Sequence, residues 1–273
     1  MHFTMCFPAF EAASVPPARC LKTPIIYAKM NRIFWDAHRR LLGDEILRTL
    51  TTYAWHTGKL KKPMELAVVT DLHNARKYDD IWPLIDGADC LLVAGDVVNR
   101  YFGGYRHGIA FLNEAARRLP TFFSIGNHEL RSANAAKIMQ ELTQSKATVL
   151  LNQYAPFHGL WIGGWYPPEL LQREDMLDEF EALEGCKVLL CHRPHDYMNK
   201  LRERSVDLVI AGHAHGGQIR IKGQGLYSPG QGFLPKYTKG VVDNRMIVCA
   251  GTGSAIYFPR WGNPFEVLRI MLD

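Results

Sequence analysis

The six cysteines of this 273-residue chain, at positions 6, 20, 90, 186, 191 and 249, include no CxxC pair. That spacing argues against a thiolate zinc site and fits reduced, mostly buried thiols in a cytoplasmic protein. Cys191 adjoins His192, but strand alternation would point the two side chains to opposite faces. No segment reaches the roughly 18 apolar residues of a membrane span. The opening MHFTMCFPAFEAASVPPARC has no basic n-region, and Pro8 and Glu11 interrupt its apolar run, so it reads poorly as a signal peptide. No repeat or linker divides the chain beyond residue 62. At 47% hydrophobic and 22% charged residues, disorder is excluded for most of it. The length suits one α/β domain, residues 63–273, with a small N-terminal addition, residues 1–62.

Charge is scarce where a nucleic-acid enzyme would need it. Residues 1–62 hold ten Lys or Arg against four Asp or Glu, whereas residues 63–273 hold 22 against 23. The main body is nearly neutral and lacks the basic excess of a nucleic-acid groove, so a nucleic-acid partner is disfavoured. Over residues 25–58, Ile26, Met30, Ile33, Phe34, Leu41, Leu42, Ile46, Leu47 and Leu50 recur at three- and four-residue spacing among Lys29, Arg32, Arg39, Arg40 and Arg48. This pattern predicts a pair of helices that either packs on the domain or lies peripherally on anionic lipid.

What the main body does have is a series of apolar runs, each ending in a polar loop. Buried strands are expected at 66–70, 90–94, 121–125, 187–191 and 207–211, with helices near 78–86, 105–118 and 132–144. Further strands at 247–252 and 266–272 imply a second sheet. The loops that follow are TDLHNA, AGDVVNR, IGNHEL, CHRPH and GHAHGG, carrying Asp71, His73, Asp96, Asn127, His128, His192, His213 and His215. Alone, each residue has an ordinary reading: Asp96 after Gly95 as a turn aspartate, Asn127 as an Asx turn or helix cap, His192 as a strand end. Their arrival at successive strand ends points instead to a two-metal centre. Two divalent ions roughly 3.5–4 Å apart need a shared anionic ligand, a role that suits Asp96. Asp71, His73 and His215 are assigned to one metal, and Asn127, His192 and His213 to the other. The mixed oxygen and imidazole donors suit Mn, Fe, Zn or Co, with Mn²⁺ favoured. Two-residue spacing in an extended loop would put Asp71 and His73 on one face, likewise His213 and His215, with Leu72 and Ala214 pointing away.

Asp71-Leu-His73, Gly95-Asp96, Gly126-Asn127-His128-Glu129, His192 and Gly212-His213-Ala-His215 resemble the ordered motifs of the calcineurin-like metallophosphoesterases over about residues 64–273. GHAHGGQIRI, YSPGQGFLPKYTKG and GTGSAIYFPRWGNP are similar to the bacterial branch of YkuE- and YaeI-type phosphodiesterases. The resemblance implies an α/β four-layer αββα sandwich with two mixed β-sheets, and a metal-dependent phosphoesterase using a metal-bridging hydroxide on a phosphodiester or pyrophosphate. It implies that His128 contacts the phosphate and either stabilises the transition state or protonates the leaving oxygen. Relatives of that branch are similar to enzymes acting on lipid-linked phosphates. A phosphomonoesterase and a non-catalytic metal-bound adaptor are the alternatives. Two positions depart from the pattern. Asn99 replaces an Asp that would pair with the catalytic His, so either His128 is a weaker acid-base group than usual or Glu129 compensates, and Ala214 replaces a Thr between the two histidines. For the substrate, Arg193, His195 and Arg260 are candidates for a second phosphate. Phe233, Tyr237, Tyr257, Phe258 and Trp261 are candidates for an apolar groove, unless they merely pack the second sheet.

Overall fold

The computed structural model describes residues 47–101, 104–255 and 260–273. Two six-stranded mixed sheets face each other. The first runs β1 (Thr49–Trp55), β16 (Glu266–Leu272), β2 (Met64–Val69), β3 (Cys90–Ala94), β4 (Thr121–Ser124), β5 (Thr148–Leu150). The second runs β14 (Gly240–Val242), β15 (Met246–Val248), β9 (Leu208–Ala211), β8 (Cys186–Cys191), β7 (Leu160–Trp165), β6 (Gln153–Phe157).

The uninterrupted apolar runs have a simple cause: both faces of the central strands are covered. Alternate residues Leu66, Val68, Leu92, Ala94, Val188, Leu190, Leu208 and Ile210 fill the space between the sheets. The intervening Ala67, Val69, Leu91 and Val93 face helices α1 (Arg106–Arg118) and α3 (Ala135–Thr143). On the far side, Leu189, Val209 and Val248 pack with Leu177 and Phe180 of α4 (Leu177–Ala182), and with Tyr197 and Leu201. Three separate cores stacked in this way make the four layers of an αββα sandwich.

The expected helix over 25–58 is corrected in its described part. Thr49–Trp55 is a strand, paired in parallel with β16 from Thr49↔Glu266 to Trp55↔Leu272. TLTTYAW is rich in β-branched and aromatic residues, and Thr51, Tyr53 and Trp55 are its half-buried positions. That local preference outweighs the three-and-four spacing that Leu47 and Leu50 continue. The main body therefore includes residue 49, ahead of the expected start at 63. Arg48 does not belong to a basic surface either. It is buried, paired with Asp80, and donates through Nε to Thr252 O at 2.7 Å. Residues 25–46 of that expectation lie outside the described residues.

Candidate metal centre

The strand ends are stitched together before any ligand is considered. Backbone N–H groups of Asp71, His73 and Asn74 donate to Gly95 O, Asp96 O and Val97 O at 3.1, 3.0 and 2.7 Å, joining the loops after β2 and β3. The N–H of Gly212 donates to His192 O at 2.9 Å, joining the loops after β9 and β8. The carboxylate of Asp71 on the first sheet accepts from the N–H of His213 on the second, at 3.0 and 3.1 Å, and so closes the gap between sheets.

These loops are left-handed rather than extended. Asp71, His73, Asp96, His213 and His215 have φ of 53°, 51°, 55°, 66° and 47°. Side-chain sharing of one face thus comes from left-handed residues, not from the strand alternation the spacing suggested. Leu72 and Ala214 do point away, into the outer cores. Such backbone costs of order 1–3 kcal/mol per residue and persists only where its surroundings enforce it. Two glycines provide room. A Cβ on Gly126 would lie 2.2 Å from Asp96 Oδ1, and one on Gly212 2.3 Å from Asp71 Oδ2, so neither position admits another side chain.

Three overlapping groups result, with candidate ligand atoms within 4.8 Å of one another in each: Asp71, His73 and His215; His73, Asp96 and His128; Asp96, His192 and His213. His192 donates Nδ1–H to Ala94 O at 2.8 Å, which turns Nε2 toward the cluster, 3.0 Å from Asp96 Oδ2. His73 Nδ1 faces Val98 O at 3.3 Å, and its Nε2 confronts His215 Nε2 at 3.1 Å. Asn127 Oδ1 and His215 Nδ1 are buried without hydrogen-bond partners among the described residues. Bare nitrogen and oxygen donors converging in a buried space fit divalent cations, and carbonyl-anchored imidazoles are the usual orientation of metal-binding histidines.

The charges explain one another. Burial alone would raise Asp71, but the imidazoles of His215, His73 and His192 outweigh it and hold the carboxyl well below the usual range. Asp96 is lowered in the same way, chiefly by His192. His192 is pushed up to about 10, because Asp96 and Asp71 overcome its desolvation. His213 and His128 are pushed down to about 3, first by burial.

Residues 64–217, more than half of the chain, match the family of the calcineurin-like phosphoesterases. The chain belongs to this family. An uncharacterized metallophosphoesterase of Helicobacter pylori (strain J99) is 25% identical over 255 residues, 89% of this chain and 66% of that protein. The chain thus spans about two thirds of that relative's length. Phosphodiesterase YaeI of Escherichia coli (strain K12) is 27% identical over 187 residues, 58% of this chain and 63% of its own. A zebrafish (Danio rerio) transmembrane protein with metallophosphoesterase domain is 24% identical over 181 residues, covering 57% and 41%. No helix among the described residues is long and apolar enough to cross a membrane.

Within this phosphoesterase site the remaining residues divide. His128 heads α2 (Asn127–Leu130), its ring edge-on to His73 at 4.4 Å, and its Nδ1 accepts the Arg100 N–H at 3.2 Å. Asn99 donates Nδ2–H to Ala255 O and accepts the Tyr101 N–H at Oδ1, both at 2.9 Å. Glu129 does not substitute for the missing aspartate. Its buried carboxylate accepts from the N–H groups of Asp96, Val98 and Gly126 at 3.0, 3.1 and 2.8 Å. It braces two ligand loops, a part that a Glu after Asn-His gives no local sign of. Asn263 is a second such brace, donating to His215 O and Gln218 O at 2.7 and 3.0 Å. Arg193 is buried, bonded to Asp196 at 2.6 Å and stacked over Tyr166. Arg260 donates to Gly251 O and Ala250 O and stacks on Phe265. These bonds hold Arg193 through Nε and Arg260 through its two terminal nitrogens. His195 is half-buried, 6.0 Å ring to ring from His213, and lines a cleft with Met198, Asn199, Leu234, Lys236 and Tyr237. Tyr257 and Phe258 lie outside the described residues. Cys191 faces the outer core, where burial raises its thiol well above normal.

Proposed function

We propose that this chain hydrolyses a phosphodiester, with two divalent metals held by Asp71, His73, Asp96, Asn127, His192, His213 and His215. The observation that carries the reading is the position of Asp96, which belongs to the second and third of the three ligand groups while His73 links the first to the second. A carboxylate so placed serves as the shared ligand. When bound, the metals supply Lewis acidity toward phosphoryl oxygens and lower the pKa of water. Mn²⁺ is the first candidate, with Fe, Zn and Co fitting the same donors.

His128 contributes a defined hydrogen. Because Nδ1 accepts from Arg100, the neutral ring carries its proton on Nε2, and burial keeps the ring neutral. A neutral Nε2–H can donate a hydrogen bond to a phosphoryl oxygen as charge grows there, but giving the proton away would leave imidazolate. Of the two family roles, charge stabilisation therefore fits this chain better, with water protonating the leaving oxygen. The cleft beside His213 offers space for a second ester arm, and this favours a diester over a monoester. The name of the YaeI relative points the same way.

The test compares bis(p-nitrophenyl) phosphate, p-nitrophenyl phosphate and a nucleotide-diphospho-lipid as substrates of Mn²⁺-loaded protein. Diester turnover should dominate. His128→Ala should reduce it by about 10²–10³-fold while metal content stays at two per chain. Preference for the monoester would overturn the diester assignment, metal loss in the variant would overturn the role of His128, and two bound metals with no turnover would leave the adaptor reading in possession.

A further inference from the structure

The segment after His215 is built differently from the rest of the molecule. Two short ribbons, β10 (Arg220–Ile221) with β11 (Gln224–Gly225) and β12 (Tyr227–Ser228) with β13 (Gly232–Phe233), stand outside both main sheets. They are joined side by side: Arg220 N–H donates to Trp261 O at 2.8 Å, Leu226 N–H to Ile219 O at 2.9 Å, and Leu234 N–H to Leu226 O at 2.9 Å. Phe233 is 85% exposed, Trp261 69%, Leu234 65%, Ile221 49% and Tyr227 46%. These are five of the eleven large exposed hydrophobic residues among the described residues, gathered in one small platform.

Its charge is one-sided as well. Residues 208–242 contain Arg220, Lys222, Lys236 and Lys239 and no Asp or Glu. Lys239 is spent on Glu266 at 2.6 Å, and Arg220 on Gly216 O and Thr238 Oγ1. Lys222 and Lys236 are exposed and form no ion pair among the described residues. The platform also abuts the catalytic cluster, since a Cβ on Gly230, in the β12–β13 turn, would lie 3.1 Å from His195 Nδ1 and 3.9 Å from His213 Nε2.

We propose that the platform formed by residues 219–239 and Trp261 docks on an anionic lipid surface. Exposed aromatic and aliphatic side chains flanked by lysines, with no acid to repel lipid phosphates, match the interfacial layer of such a bilayer. A protein partner would have to supply acids against Lys222 and Lys236, whereas an anionic leaflet supplies them everywhere. Docking there would bring His195 and the cleft beside His213 close to the membrane. The inference concerns binding alone and holds or fails independently of which ester is cleaved.

The experiment is co-sedimentation of the full chain with phosphatidylcholine vesicles and with vesicles of roughly one-third phosphatidylglycerol, at low and high salt. Binding to the anionic vesicles, weakened by salt, is expected. Phe233→Ser/Trp261→Ser and Lys222→Glu/Lys236→Glu should each lower partitioning by about tenfold, with unfolding temperatures unchanged because these side chains are exposed. Absence of binding by the wild-type chain would overturn the proposal. So would both variants binding as the wild type does, which would move any lipid contact to residues outside this platform.

Discussion

The two halves of the metal cluster are at different electrostatic rest points. In the Asp71 half, His73 and His215 meet Nε2 to Nε2 at 3.1 Å, and burial drives His215 well below its usual pKa. In the other half, His192 meets Asp96 at 3.0 Å and is held protonated up to about 10. In one half the carboxylate of Asp71 stands farther from the rings, 3.6 Å from His73 Nε2 and 3.7 Å from His215 Nε2, and His215 is neutral. The other is already neutralised by an internal ion pair that a cation must displace. Similar donors, differently paired, make one half ready for a cation and the other conditional on proton release.

The strongest way to break this contrast is to remove what the halves share. Asp96 lies in two of the three ligand groups, so Asp96→Asn should drop bound metal well below two per chain and reduce diester turnover by at least about 10³-fold. Elemental analysis after gel filtration checks it. Two retained metals would sink the shared-ligand role.

A smaller effect sharpens the contrast. With a pKa raised from 6.5 to about 10, His192 is protonated in the metal-free fold between those values, so a metal entering its half must release that proton. Affinity there should rise by about tenfold per pH unit through this window, since protons compete with the metal. His215 and His213, lowered below 6.5, are already neutral and add no such slope. Titration of chelator-treated protein with Mn²⁺ at pH 7 and 8 should therefore resolve one pH-dependent and one pH-indifferent equivalent. His192→Ala should abolish the dependent one. Equal slopes for both would show that the halves do not differ.

The clustering of the candidate metal-binding residues and the layers could be read in the chain because both are written locally. The run CLLVA is apolar throughout because Leu92 and Ala94 face the inter-sheet core while Leu91 and Val93 face the helices, and Gly95-Asp96 follows directly. Tertiary partners were not legible in this way. The strand at Thr49–Trp55 exists because β16, more than two hundred residues later, offers an edge. Arg48 looked like part of a basic helix face because nothing near it announces Asp80 or the carbonyl of Thr252. Left-handed φ at Asp71, His73 and Asp96 is likewise invisible to a spacing argument, since Asp and His enter that region more readily than most residues but only in a minority of positions.

Glu129 is the clearest case of a residue whose motif position conceals its work, and it sets the smallest expected effect. Its Oε2 takes the N–H groups of Asp96 and Gly126, and its Oε1 takes that of Val98. In Glu129→Gln one oxygen becomes an amide that can only donate, so at least one backbone N–H loses its acceptor inside the core. A loss of about 1–3 kcal/mol follows. Burial and the charge of Asp96 raise the wild-type carboxyl from 4.5 to about 7. The metal-free fold therefore holds this proton more tightly than the unfolded chain does, and this group's contribution to stability falls as pH rises from 4.5 through 7. Glutamine has no proton to hold, so the variant should be less stable at acidic pH and lack that decline, the gap between the two closing as pH rises through 7. Denaturant unfolding of chelator-treated protein across this range measures both. Equal stability would mean that the three N–H groups find other acceptors, and an unchanged slope would mean that another group titrates there.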